Sequence, residues 1–476
     1  MRRLTGSAAV LAATVLLVLA GLTGCAAYPA SPAAAAPVKT KEALREPPQY
    51  VSRGGLLRTQ IVVERHRVEL AGRRLWALTY NGFYMPPTLR IQPGDRMDLT
   101  LVNHVHPYTN LHLHGLHISP VGHSDNIFLH INPGQTFHYR YRFPLSLTPG
   151  TYWYHSHAHP YAAPQVAGGM SGLIIVDGLR QYLPARLRGI TEHTIALKDF
   201  QLHADTVRTK NLHISSPTHR TVNGQTDPII RIRPGETQLW RIANISANIY
   251  YVIHMDGYRF HVLARDGSPV RRVWSRGSLL VPAAARFDVL VQGGPAGTTK
   301  LETLPYNTGP AGNQFPRATL ATLVSAGRPV PTAQLPTDIA PFEDLTDQPI
   351  AVRRTLVFSE RGSGPTERYL INGRTFNERR VDTRARLNTV EEWTIRNHSR
   401  EEHTFHIHTN KFQLMSINGH PHHALNRQDT ANLPAGTNGV IVIRIHFTDY
   451  TGKTVYHCHI LNHEDGGMMG VLEIVK

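Results

Sequence analysis

The chain has 476 residues, room for two to four domains of ordinary size, and 41% of them are apolar, so a sizeable core is available. Its net charge of +16 suits a polyanionic neighbour or a solvated basic surface, but no Lys/Arg block alternates with aromatics, so nucleic-acid binding is unsupported. Only two cysteines occur, Cys25 and Cys458, each with a better use than a shared disulfide, while 29 histidines raise the expectation of metal chemistry.

The chain opens on a targeting segment. Arg2-Arg3 give a basic start, and Ala8 to Leu22 form an apolar run too short to span a bilayer comfortably as a mature helix. Leu22-Thr23-Gly24-Cys25 then resembles a bacterial lipobox. The resemblance implies a signal peptide over 1–25, export, and an extracytoplasmic protein held to the membrane by a lipid on Cys25. A plain secretory peptide is the alternative. The Ala/Pro-rich start of residues 26–47 reads as a tether.

The rest repeats itself three times. The first copy has Asn81-Gly82, then Leu89 to Gly94-Asp95, then Leu101 to Asn103. The second has Asn223-Gly224, Ile230 to Gly235-Glu236, and Arg241 to Asn244. The third has Asn372-Gly373 and Val390 to Asn397, without the Pro-Gly. Each copy predicts a strand, a turn, and a second strand ending on Asn. Val/Ile/Leu runs between Pro-Gly turns favour an all-β chain. The spacing places three β-sandwich domains at 48–180, 188–326 and 345–476, with a Pro-rich linker from Arg328 to Pro341.

Four histidine clusters fall in the first and third copies. They are His112-Leu113-His114, His155-Ser156-His157, His403 with His406 and His408, and His457-Cys458-His459 followed by His463 and Met468. Residues i and i+2 of a strand share a face, so each His-x-His step can present two imidazoles together. Neighbouring side chains point to opposite faces, so Cys458 can serve one metal while His457 and His459 serve others. Cys, His and Met are ligands that suit copper.

With these motifs the chain resembles a three-domain multicopper oxidase of the laccase type. The run Pro149 to His155-Ser156-His157 and the tail from Tyr456 carry the likeness most specifically. The resemblance implies three cupredoxin-like Greek-key sandwiches, the second without copper, and four coppers per chain. It implies a type 1 copper on His403, Cys458 and His463 with Met468 as weak axial ligand, and a type 2 copper on His112 and His406. The paired type 3 coppers would take His114, His155, His157, His408, His457 and His459. Glu464 and Asp125 resemble the family's proton-relay acids, a role that suits carboxylates of raised pKa. The other reading of each is a hydrogen-bonding partner of the metal histidines. Asp429-Thr430 resembles a family element without an evident role.

Dioxygen is the implied acceptor. Eight methionines with no cluster before the tail do not advertise capture of Cu(I), so phenolic or aromatic donors are favoured. The alternative is a metallo-oxidase acting on Cu(I), Fe(II) or Mn(II), with a role in copper tolerance. A structural or copper-storing relative is disfavoured, because all twelve ligand positions are filled.

Overall fold

A computed structural model describes residues 41–210, 212, 217–362 and 364–476; the lipobox and most of the expected tether lie outside the described residues. Strands dominate, and among the described residues the α-helices are two short ones, Ala162–Gly168 and Leu461–Asp465. Neither is long and apolar enough to cross a membrane. Period-two burial makes the strands. In Gly439–Phe447, buried residues alternate with half-buried ones along the whole length.

The three sequence repeats become three equivalent two-sheet units. In one sheet of each unit, an early strand runs parallel to the strand that ends on the repeat asparagine. The pairs are Leu56–Leu70 with Arg96–Asn103, Glu192–His203 with Thr237–Asn244, and Val352–Arg361 with Thr389–Asn397. In the other sheet Thr88–Ile91, Ile229–Ile232 and Thr383–Arg386 run parallel to Ser171–Val176, Ala318–Ser325 and Met469–Val475. Parallel neighbours require crossovers between the sheets, as in a cupredoxin-like Greek key.

The repeated residues earn their places locally. Asn81-Gly82, Asn223-Gly224 and Asn372-Gly373 all have positive φ at both positions, the pair of left-handed residues that Asn-Gly adopts at least cost. The side chains of Asn81, Asn223 and Asn372 accept the N–H of Val62, Ala196 and Val357 at 2.7, 2.9 and 2.8 Å. The strand-ending Asn103, Asn244 and Asn397 accept the N–H two residues further on, at 2.9, 3.1 and 2.8 Å. The same bonds recur three times, so the repeat is structural and not merely compositional.

The units are not strung on bare linkers. Thr206–Val207 pairs antiparallel with Glu192–His203 and bridges Trp76 of Arg73–Tyr80, so the first and second units share one eleven-stranded sheet. Lys198 crosses the same boundary: its buried ammonium donates to the carbonyls of Tyr84, Gly169 and Ser171 at 2.7, 2.8 and 3.1 Å. The end of the expected tether also lies on the second unit. Ala43 bridges Ile229, the Leu44 N–H donates to the Ile229 carbonyl at 2.8 Å, and Lys41 pairs with Asp227. Ile229–Ile232 is an edge strand and takes this extra partner, which covers an otherwise open edge.

The first and third units meet at the two helices. Asp465, in Leu461–Asp465, accepts the N–H groups of Ala162 and Ala163 at 3.2 and 2.7 Å, satisfying the first turn of Ala162–Gly168. This contact brings the histidine-bearing strands of the two units together.

Candidate metal centres

The short strand His112–His114 pairs antiparallel with Gly150–His155, setting His112 opposite His155. In the third unit His403–Ile407 pairs with Gly452–Cys458, setting His406 opposite His457 and Phe405 opposite Cys458. The two hairpins converge. His112 stacks on His408 and His114 on His406, with ring centroids 4.0 and 3.9 Å apart. Ring nitrogens of His114, His155 and His459 lie within 4.8 Å of one another, as do those of His157, His408 and His457. A third group of the same size joins His112, His114 and His406. All eight histidines expected in the shared cluster are thus gathered, and all are buried.

Their hydrogen bonds point outward. The Nδ1 atoms of His155, His406 and His457 donate to the carbonyls of Ser156, Asp429 and Cys458 at 2.8, 2.8 and 3.0 Å. A carbonyl can only accept, so each ring holds its proton on that side and turns Nε2 inward. The Nε2 atoms of His112, His155 and His406 and both nitrogens of His459 are buried without a partner. Burial first, and neighbouring rings second, push His155 down to about 3 and His112, His406, His408 and His459 well below the usual imidazole range. Burial likewise takes His157 down to about 4. Neutral rings with unpartnered inward lone pairs, which would be costly if left empty-handed, fit a set of metal ions.

The second centre lies wholly in the third unit. Cys458 Sγ is 3.5 Å from His403 Nδ1 and 3.7 Å from His463 Nδ1, and the two nitrogens are 3.2 Å apart. Ser399 Oγ holds the far nitrogen of His403 at 2.7 Å. His463 is returned to the cysteine by the helix Leu461–Asp465. Met468 is fully buried, and its backbone is bonded to both sides: its N–H donates to the His463 carbonyl at 2.9 Å, and its carbonyl accepts the Cys458 N–H at 3.0 Å. Burial pushes the Cys458 thiol up, so a neighbouring cation is needed to make it a thiolate. Two nitrogens and a soft sulfur in this arrangement are a copper donor set.

Two carboxylates flank the eight-histidine cluster. Asp125 Oδ2 faces His112 Nδ1 at 2.9 Å, while its Oδ1 accepts the Leu113 N–H at 2.9 Å. Burial pushes Asp125 up to about 8. Glu464 lies 3.0 Å from His457 Nδ1 and 3.4 Å from His157 Nδ1. Burial would raise Glu464 too, but the two rings outweigh it and hold the carboxyl down to about 2. The two acids thus sit in different surroundings: burial alone acts upward on Asp125, whereas the rings beside Glu464 oppose it.

Several residues at these centres carry no motif. Glu401 is 3.2 Å from the outer nitrogen of His463, and Glu360 is 3.4 Å from that of His403. Burial and the neighbouring Glu360 push Glu401 up to about 9. Tyr369 stacks on His463 at 4.2 Å and donates to Glu367 at 2.9 Å. Ser399 and Glu401 lie two and four residues after the repeat asparagine Asn397, a position that could have drawn notice to them. Glu360 and Tyr369 come from strands with no pattern of their own.

Comparison with known proteins agrees with this geometry. Three family models, each described as multicopper oxidase, match residues 62–181, 191–298 and 347–476. The chain is 26% identical to a multicopper oxidase of Staphylococcus aureus over 84% of each sequence. It is 27% identical to the cell division protein FtsP of Sodalis glossinidius, over 82% of this chain and 83% of that one. It superposes on a Campylobacter jejuni multicopper oxidase, described as a metallo-oxidase, with a TM-score of 0.81 and 25% identity, covering 92% of this chain and 96% of that one. The fold and the two histidine-rich centres define a copper-dependent oxidoreductase that uses dioxygen. The chain belongs to the multicopper oxidase family.

Proposed function

We propose that His403, Cys458 and His463, with Met468 as a weak fourth donor, would hold a type 1 copper, which would supply the one-electron oxidation of small donors. His112 and His406 would hold a type 2 copper, and the triads His114, His155, His459 and His157, His408, His457 a type 3 pair, four coppers in all. Copper would supply the one-electron steps that bring dioxygen to water. The observation that carries this reading is the register of two strands, which sets His457 opposite His406 and Cys458 opposite Phe405. Adjacent residues thereby face the two centres, and the backbone of Cys458 is the path between them.

The chain's own groups do the rest. Asp125 lies against His112, and Glu464 against His157 and His457, so each is placed to relay protons to the shared cluster. At the donor side, Glu360 and Glu401 stand against the outer edges of His403 and His463. Glu401 is held protonated by burial and by Glu360, so the edge acts by its donor atoms rather than by two charges: Glu360, Glu401, His403 and His463 place ligand atoms within 4.8 Å of one another. On that ground Cu(I), Fe(II) or Mn(II) ranks above a phenol here, the reverse of the ranking from methionine content. The metallo-oxidase of Campylobacter jejuni supports that order. A phenolic donor keeps one argument: it must lose a proton on oxidation, and a carboxylate beside His403 can take it.

Comparing kcat/KM for Cu(I), Fe(II), Mn(II) and a phenol in wild type and in Glu360→Gln/Glu401→Gln decides the donor. The expected result is preference for a metal ion and a loss of roughly tenfold or more for that ion alone. A preference for the phenol, untouched by the substitutions, overturns it. Export and membrane attachment through lipid on Cys25 belong to the same proposal; Cys25→Ser is expected to release the protein from the membrane fraction.

A further inference from the structure

The second unit contributes no histidine to either centre, yet one of its side chains reaches the shared cluster. Arg286, at the start of the strand Arg286–Gln292, is fully buried. Its Nη1 and Nη2 donate to the two oxygens of Asp429 in the third unit, each at 2.7 Å. Its Nε donates to the Thr151 carbonyl of the first unit at 3.3 Å, and Nη1 to the Ala284 carbonyl of its own at 3.0 Å. Asp266, also of the second unit, completes the frame. It accepts the Arg286 N–H at 3.0 Å on one oxygen and the Thr430 hydroxyl at 2.7 Å on the other. One guanidinium is thus fixed by all three units.

Asp429 passes that fixation to two rings. Its Oδ1 accepts from His114 Nε2 at 3.0 Å, and its main-chain carbonyl accepts from His406 Nδ1 at 2.8 Å. Both are acceptors, so His114 carries its proton on Nε2 and His406 on Nδ1. The lone pairs left over, on His114 Nδ1 and His406 Nε2, are buried and have no partner. A single residue therefore sets opposite tautomers in two rings stacked 3.9 Å apart. The fit admits nothing more: a Cβ on Gly115 would come within 2.5 Å of both Arg286 Nη2 and Asp429 Oδ2.

We infer that Arg286 and Asp429 form an inter-unit positioning pair, in which the unit without metal ligands selects the inward-facing nitrogens of His114 and His406. The inference rests on the reading of those two histidines as copper ligands. Bidentate geometry is the requirement, so charge alone does not suffice and lysine is no substitute for arginine.

The test compares wild type with Asp429→Asn, Arg286→Lys and Asp266→Asn, the last loosening the arginine without touching a histidine. Histidine tautomers are read by nitrogen NMR on copper-free protein labelled at histidine. Copper content and the electron paramagnetic resonance of the type 2 site are read after loading with copper alone, and circular dichroism confirms folding. The expected result is a fixed Nε2–H tautomer of His114 in wild type, mixed tautomers in Asp429→Asn and Arg286→Lys, and a smaller shift in Asp266→Asn. The type 2 signature should change and copper affinity there fall roughly tenfold to a hundredfold, with the blue colour of the Cys458 centre kept. An unchanged tautomer and an unchanged type 2 signature in the variants that fold overturn the pairing. A wild type with the expected tautomers that takes up no copper at the shared cluster would instead defeat the copper reading, leaving the tautomer selection intact.

Discussion

The two centres lie on opposite faces of the Cys458 strand, yet they are assembled in opposite ways. The Cys458 centre draws His403, Cys458 and His463, together with the supporting Ser399, from one sandwich. The eight-histidine cluster takes four rings from the first sandwich and four from the third, and leans on Arg286 of the second. The first centre is as firm as the core of one unit. The second is only as firm as the packing of three units against one another. On the division of labour proposed above, dioxygen reduction is the half-reaction lost first, because disturbance between units reaches the shared cluster first.

Removing the residue that joins the centres has the largest expected effect. In Cys458→Ser the intense colour of a copper–thiolate centre disappears and donor oxidation falls to background, while the shared cluster still takes copper. Absorbance, turnover and copper content check it together; retained oxidation would mean that electrons enter elsewhere.

Next come the flanking acids. Asp125→Asn and Glu464→Gln should each slow dioxygen reduction roughly a hundredfold, the usual scale of a lost proton-transfer group. Reduction of the Cys458 centre by donor without oxygen should keep its wild-type rate in stopped-flow traces. Equal slowing of both half-reactions would erase the division between the centres.

The smallest effect concerns the junction of the three units. Lys411 Nζ donates to the Asp266 carbonyl at 2.7 Å, Ser268 Oγ at 2.9 Å and Tyr152 OH at 3.1 Å, although part of its stem remains exposed. Burial of the amine pulls it down to about 7 from 10.5. The folded pKa lies below the unfolded one, so folding releases a proton between these values. The contribution is fully present above the unfolded pKa and is lost as pH falls through the folded one. The Tm of copper-free wild type should therefore gain a few degrees on Lys411→Met between pH 7 and 10. A gap independent of pH would show that the amine is charged throughout.

The parts legible in the sequence are those fixed by neighbours in the chain. The Asn-Gly turns and strand-ending asparagines act through residues that lie close by on the same or adjoining strands, so their spacing survives as a readable repeat. The ligand histidines are legible because a strand forces residues i and i+2 onto one face. Arg286 and Asp266 were invisible, since their partners lie 143 and 164 residues away in the chain. Asp429 stood out by resemblance, but its purpose is seen only once Arg286 and His114 are beside it. The charge state of Glu464 was equally hidden: burial argues for a raised pKa, and only the positions of His157 and His457 reverse the sign.

The sheet that runs through the first two units has one more consequence. Repeats joined by a flexible linker can be cut out, shuffled or expressed singly. Here excision of the second repeat would strip Thr206–Val207 from Arg73–Tyr80 and uncover the backbone of Trp76, where the two strands pair. An uncovered edge of that kind recruits other chains. The second repeat is thus a guard against self-association as well as a neighbour of the two centres, and a shorter protein made by deleting it should aggregate before it could be assayed.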